Sequence, residues 1–423
     1  MMGKFFRKSA ADSKPKMMEQ SLIYKEKEAF KDAYWVLKNA NAKQFYEFSF
    51  DMEDFPSIRI KTIGNLEETG LTFENNTISG TPLTNNIYHL DIQFYHLHDQ
   101  NQIETKKIPL LVNADPKDLW KNIPCDKNAA FYKPEEEAFK GGFSDKKIVV
   151  VSKRGRSHAH EGKFREDDFA VNRLPAEWNI ISVSDGAGSA TAAREGSRLA
   201  VAAINEFFSS REILHEIENN IHQMNGFPGE EPLEARQNII DILSESVFHV
   251  YHTLENAAGV NALSLSDLHA TLVFVLLKKF SFGYVILSFG VGDCPVNLIH
   301  RGFSEVNLLN QMDVGEFGGG TRFITMKEIF NGHMASRFRI TVTDDFLYLV
   351  LMTDGIYDPK FITENKLEDP ESWKVFFEDL AGNNDDRAKV DFIDDEKIDE
   401  QLLIWTDFWS RGNHDDRTLA IIY

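Results

Sequence analysis

The chain has 423 residues, more than one hydrophobic core usually organises, so two domains are the first expectation. Its 46 Lys and Arg against 66 Asp and Glu leave a net charge of -20, which argues against nucleic acid or an anionic membrane as partner and favours a cationic cofactor. Its two cysteines, Cys125 and Cys294, are too few for a disulfide framework or a thiolate zinc site, so a reducing, cytoplasmic setting is expected.

The basic opening MMGKFFRKSAADSKPK develops no signal-peptide core, and no later apolar run approaches membrane length. Residues 1–41 read as a flexible tail followed by a short helix, with Phe30, Tyr34, Val36 and Leu37 on one side. Over residues 42–113 the period becomes two. Tyr88, Leu90, Ile92 and Phe94 alternate with polar neighbours, Ile108, Leu110 and Val112 repeat the pattern, and Asn75-Asn76 and Gly80-Thr81-Pro82 supply turn chemistry. A small β-sandwich follows from that pattern. Residues 114–145, with several prolines and Gly141-Gly142, read as a connector that keeps Leu119, Trp120, Phe131 and Phe139 for contact with a neighbour.

From 146 to 423 strands and helices come in blocks. Strands are predicted at 148–151, 180–184, 271–277, 284–289, 296–299 and 347–352, and helical period appears over 192–208 and 234–254. Strands before and after a helix pair predict an α+β sandwich of two antiparallel sheets flanked by helices. The run Gly318-Gly319-Gly320 lacks a following Lys-Ser/Thr and reads as a loop, not a phosphate cradle.

Within this block four short segments put acidic residues at the edges of apolar runs: REDDF (165–169), ISVSDGAGSA (181–190), LVLMTDGIYD (349–358) and NHDDRTLAI (413–421). In two of them Gly follows Asp, which lets the backbone come close to an ion and offer a carbonyl oxygen. Carboxylates gathered this way hold hard divalent cations, and a pair of such ions about 3.5 to 4 Å apart acidifies a shared water for attack on phosphorus. A single Asp-Gly is also a common hairpin turn, so the weight lies in the joint order of the segments.

Two resemblances follow. GLTFENNTISGTP (70–82) resembles the signature of immunoglobulin-like repeats of bacterial proteins, which implies a binding or spacer module over 42–113. REDDF, SVSDGAGSA, HATLVFVLL (269–277), GVGDCPVNLI (290–299), LMTDGIYD and HDDRTLAII (414–422), in that order, resemble the motifs of the bacterial branch of the metal-dependent protein phosphatase 2C family. That resemblance implies a catalytic domain over 146–423 that hydrolyses phosphoserine and phosphothreonine through a dimetal-activated water, with two Mn²⁺ or Mg²⁺ ions between the sheets. By position, Asp185 bridges both ions, Gly186 gives a carbonyl, Asp354 and Asp415 complete one shell, and Glu166 and Asp167 act partly through waters. Asp293 and Asp358 match the place of a weaker third ion.

Where the family's eukaryotic members often carry His, this chain has Ala187, so the leaving-group acid falls to a metal-bound water, His160 or His269. The phosphate-binding position has several candidates, Arg154, Arg156, Arg165, His158 and His160, and Asp416 stands where Asn is commoner, adding charge beside a ligand. The implied partners are a phosphorylated protein substrate and a cognate serine/threonine kinase. A second reading keeps the fold but not the turnover: a pseudophosphatase that senses a metal or a phosphopeptide.

Overall fold

The computed structural model describes residues 13–225, 232–313, 320–410 and 412–423. Gly318, Gly319 and the first 12 residues of the expected tail lie outside them. The chain divides into two compact units, Met1–Trp120 and Lys121–Tyr423. Among the described residues no helix is long and apolar enough to cross a membrane.

The first unit comprises α1 (Ser13–Asp32) and strands β1 (Ala40–Asn41), β2 (Tyr46–Ser49), β3 (Ile58–Gly64), β4 (Leu71–Glu74), β5 (Thr77–Gly80), β6 (Asn86–His96) and β7 (Asp99–Asn113). They form sheets of order β1-β7-β6-β3 and β2-β5-β4, and Tyr46, Leu71, Ile78, Leu90, Ile92 and Leu110 from both sheets share one core. Residues 13–25, expected as flexible, are helical instead. Lys27 shows why the helix holds: its buried ammonium meets Asp99 at 2.8 Å and Glu104 at 3.3 Å. The expected apolar side of this helix is corrected too. The helix stops at Asp32, and beyond it Leu37 is buried while Tyr34 and Val36 face solvent, as the period changes from helical to alternating.

The second unit contains β8 (Glu136–Phe143), β9 (Lys146–Lys153), α2 (Arg156–Glu161), β10 (Asp168–Arg173), β11 (Asn179–Ser184), α3 (Ala193–Phe207), α4 (Arg211–Asn225), α5 (Leu233–Val260), β12 (Leu272–Phe280) and β13 (Gly283–Val291). It continues with β14 (Val296–Ile299), β15 (Val306–Leu308), β16 (Phe338–Thr343), β17 (Tyr348–Met352), α6 (Asp354–Phe361), α7 (Pro370–Leu380), α8 (Ile398–Trp405) and β18 (Arg417–Ile422). Two antiparallel sheets result, ordered β10-β11-β12-β13-β16 and β15-β14-β17-β18-β9-β8.

Strand period explains the layering. In β12, Val273, Val275 and Leu277 enter the core between the sheets, whereas Leu272, Phe274 and Leu276 face α3, α4 and α5. In β18, Ala420 and Ile422 point to the same inner core and Leu419 and Ile421 turn outward to α6, α7 and α8. Both faces of the central strands of each sheet are therefore buried, giving four layers, and burial on both faces accounts for the near-continuous apolar runs.

The segment expected as a connector contributes more than contact. Its residues Glu136–Phe143 form β8, which pairs along its length with β9, from Glu136↔Lys153 to Phe143↔Lys146. Before that strand, Lys133 is buried and meets Asp168 at 2.9 Å. A chain beginning at Lys121 should therefore melt cooperatively near the temperature of the same unit in the full protein. One beginning at Lys146 loses β8 and leaves Asp168 buried without its cation, a loss of about 3–5 kcal/mol before strand pairing is counted. Thermal unfolding followed by circular dichroism checks this; equal melting temperatures for the two chains would refute it.

Candidate metal centre

Antiparallel register brings the acidic segments together. Asp168 pairs with Ser184, Leu272 with Val291, Val296 with Leu351 and Met352 with Leu419, so the ends of β11, β13 and β17 and the beginnings of β10, β14 and β18 lie at one end of the two sheets. The residues just beyond those strand ends are Asp185, Asp293, Asp354, Glu166, Asp167, Asp415 and Asp416. Carboxylates far apart in sequence thus converge because their strands do.

Close backbone approach at this end requires glycine. A Cβ on Gly355 would run into the Asp416 carbonyl, one on Gly155 into the backbone of His414 and Asp415, and one on Gly186 would meet the Glu166 carbonyl at 2.8 Å. The Asp185 backbone is fixed from both sides by Thr271, whose Oγ1 accepts from the Asp185 N–H and whose N–H donates to the Asp185 carbonyl, each at 2.8 Å.

Asp167 links the sheets. Fully buried ahead of β10, it accepts at Oδ2 from Thr353 Oγ1 at 2.8 Å and Thr418 Oγ1 at 2.7 Å, both from the opposite sheet. Asp416, also buried, accepts from the Gly155 N–H at 2.6 Å, from the Glu166 N–H, and from His158 Nδ1 at 3.0 Å. Those donors and the His158 charge hold its carboxyl below the usual range against the cost of burial. The charge that Asp416 adds beside a ligand is therefore spent inside the protein.

Apart from Asp416, the carboxyls of this end have raised pKa values. Burial, followed by Asp354, Asp167, Asp415 and Asp293, pushes the Asp185 pKa well above its ordinary value. Burial, then Asp415 and Asp293, does the same to Asp354, and burial first and Asp416 next raise Asp415. Asp167 is raised by burial and Asp416, and Glu166 is pushed up to about 7 by burial with Asp416 and Asp415. Glu166 Oε2, Asp167 Oδ1 and Asp293 Oδ1 are buried without a hydrogen bond among the described residues. Crowded carboxyl oxygens that lack hydrogen-bond donors, and whose charged forms repel one another, are what a hard divalent cation satisfies, so the residues fit such an ion. Two groupings lie close enough to share one: the donor atoms of Asp185, Asp293 and Cys294 all fall within 4.8 Å of one another, as do those of His158, Asp415 and Asp416.

Several expected residues sit elsewhere or are otherwise engaged. Asp293 Oδ2 accepts from Thr321 Oγ1 at 2.8 Å, and Asp358, one turn into α6, accepts from Asn413 Nδ2 at 3.1 Å. Arg165 is fully buried, with Nε donating to the Pro134 carbonyl at 3.2 Å and Nη2 to Glu137 of β8 at 2.9 Å, which leaves Nη1 without a hydrogen bond among the described residues. Arg156 donates to the Asp407 carbonyl at 2.7 Å and lies over the Trp409 ring. His160 Nδ1 accepts from the Lys121 N–H at 3.0 Å, and His269 Nδ1 is paired with Thr325 Oγ1 at 2.5 Å. The imidazole that joins the acidic cluster is that of His158. Burial opposes its charge, but Asp416, Glu166 and Asp415 outweigh burial and raise its pKa to about 9. Cys294 is buried, with its thiol pushed up by burial and then by Asp185 and Asp293, so it is no nucleophile.

The second unit is thus a four-layer α+β sandwich with an acidic end. The protein phosphatase 2C family model matches residues 154–402, and the chain belongs to that family. Among solved structures, the S. agalactiae serine/threonine phosphatase is 15% identical over 65% of this chain and 98% of its own, with a TM-score of 0.39. The catalytic domain of the serine threonine protein phosphatase PstP in complex with 2 manganese ions is 14% identical over 65% and 96%, with a TM-score of 0.37. The serine/threonine phosphatase from Staphylococcus aureus is 14% identical over 69% and 95%, with a TM-score of 0.35. No curated protein sequence matches the chain significantly.

The crowded carboxyls make a pH prediction for the metal-free protein. A carboxyl whose pKa is raised by folding adds stability below its unfolded pKa and loses it as pH rises through the folded value. Glu166 places that window between 4.5 and about 7, and Asp167 shifts in the same direction. Melting temperature in chelator should fall across this window and recover when Mn²⁺ is added at its upper end. A flat profile without metal dependence would count against the arrangement.

Proposed function

We propose that this chain is a divalent-metal-dependent phosphatase of phosphoserine and phosphothreonine in proteins. The observation that carries the reading is the convergence of Asp185, Asp354 and Asp415 at one sheet end, each carboxyl held above its ordinary pKa by burial and by its neighbours. In this reading two Mn²⁺ or Mg²⁺ ions are held by Asp185, the Gly186 carbonyl, Asp354 and Asp415, with Glu166 and Asp167 acting through waters. When bound, the ions supply Lewis acidity toward a phosphoryl oxygen and acidify water.

The chain's own groups do the remainder. Asp167, anchored by Thr353 and Thr418, aims its unpartnered Oδ1 while fixing the separation of the sheets. His158 orients Asp416, and through the Asp416 contact with the Glu166 N–H it sets where Glu166 can reach. Asp293 has one oxygen engaged by Thr321 and one unengaged, and Asp358 has one engaged by Asn413, so each has less to offer an ion than Asp185. They suit a weaker third ion. The first unit, read as immunoglobulin-like, positions the phosphorylated protein, and a cognate serine/threonine kinase supplies it.

The deciding experiment is hydrolysis of p-nitrophenyl phosphate and of a phosphothreonine peptide with Mn²⁺ added and removed. Metal-dependent turnover is expected, and Asp185→Asn and Asp354→Asn should each lower it by at least about a hundredfold while staying folded. Tight Mn²⁺ binding without turnover on either substrate would favour the sensing role over the enzyme. Asp358→Ala should retain turnover with its Mn²⁺ activation curve displaced to higher concentration; complete loss would move Asp358 into the principal site.

A further inference from the structure

We propose that Lys133 is a positioning residue of the metal centre: from the strap that precedes β8, its ammonium fixes the backbone from which Glu166 and Asp167 reach for cations. The inference rests on the proposed metal-dependent function.

Lys133 and Lys27 are the buried lysines among the described residues, and of the two Lys133 lies against the acidic segment, with a side chain that is 5% exposed. It donates to the Asp167 carbonyl at 2.9 Å and to Ser197 Oγ at 3.1 Å, and forms an ion pair with Asp168 at 2.9 Å. Three acceptors satisfy its three donors. Ser197, on α3, in turn donates to the Glu166 carbonyl. The carbonyls of two consecutive acidic residues are thus held from behind, one by the ammonium and one through the hydroxyl beside it. Gly186 lies against the same Glu166 carbonyl, so this anchor also meets the backbone of the Asp185-Gly186 turn.

The strap is built to deliver this lysine. The Ile123 N–H donates to the Ala159 carbonyl at 2.8 Å, Arg154 donates to Asn122 Oδ1 at 2.7 Å, and Arg194 donates to the carbonyls of Ala130 and Phe131 at 2.8 and 3.0 Å. Just past Lys133, the Pro134 carbonyl and Glu137 hold Arg165. The strap and the start of β8 therefore grip residue 165 by two contacts and residues 167 and 168 by others, and Glu166 lies between. A lysine there for stability alone needs only Asp168. The two further contacts are with the acidic loop and its anchor, and outer contacts of this kind typically change metal affinity by 10–100-fold.

The test uses the full chain and isothermal titration with Mn²⁺. Lys133→Met leaves Asp168 buried and unpaired, so its partner variant is Lys133→Met/Asp168→Asn, which removes the pair together. The double variant is expected to fold, yet to bind Mn²⁺ at least about tenfold more weakly, because the Asp167 carbonyl and Ser197 have lost their donor. Ser197→Ala should weaken binding in the same direction with Lys133 present. Wild-type affinity in the folded double variant overturns the proposal. So does failure of both Lys133 variants to fold, since the residue would then be a determinant of the fold. Wild-type protein that binds no Mn²⁺, or Asp185→Asn that binds as wild type does, would instead sink the reading of the site as a metal centre.

Discussion

Like charge confined at the ends of two sheets is the constraint on which the second unit depends. Burial removes the water that would screen these carboxyls, and register keeps them from moving apart. The chain answers in different ways. Asp416 receives backbone and imidazole donors and becomes structural, Asp167 has one oxygen engaged by two hydroxyls and one left unpartnered, and Asp185, Asp354 and Asp415 remain in mutual repulsion. Sites held ready for a ligand commonly carry such a stability cost. Here the cost falls on a few residues, and the large apolar cores on either side of the sheets bear it.

Much of this was legible in the amino-acid order. Strands at 148–151, 180–184 and 284–289 were readable because each lies inside an apolar run buried on both faces, and the acidic residues were readable because each follows or precedes such a run. Helix α4 escaped despite Leu214, Ile217 and Ile221 at helical spacing, since it lies between two helices with longer apolar patterns. Strand β8 escaped for another reason: it is an edge strand, mostly exposed, and its glycines resemble connector chemistry. Among site residues, Asp416 announces its charge in the sequence but not its three donors, and nothing near Lys133 distinguishes it from a surface lysine. Long-range pairing decides both.

The family's fold and the particulars of this chain bear on each other at the strap. A core of two sheets would be complete in outline from β9 onward. Yet Arg154, Arg165 and Arg194 all spend hydrogen bonds on residues 122–137, and the acidic loop is buried against that segment. Arginines that a sequence reading offers to a phosphate are thus partly consumed in holding chain to chain, a use for which their forked donors suit them.

At their other ends the same strands meet quite different conditions. The turns at Ser144-Asp145 and Ser281-Phe282 are joined by Lys279, which pairs with Asp145 at 2.6 Å, and Lys146 pairs with Asp345 at 3.3 Å, so the carboxyls there meet cations of the chain itself. Nine residues of β12 set roughly 30 Å between that end and the acidic one. The Ser281-Phe282 turn itself is anchored, with the Phe282 ring stacked on Phe280 and set against His222, so only exposed Ser281 offers a place for a label remote from the acidic end.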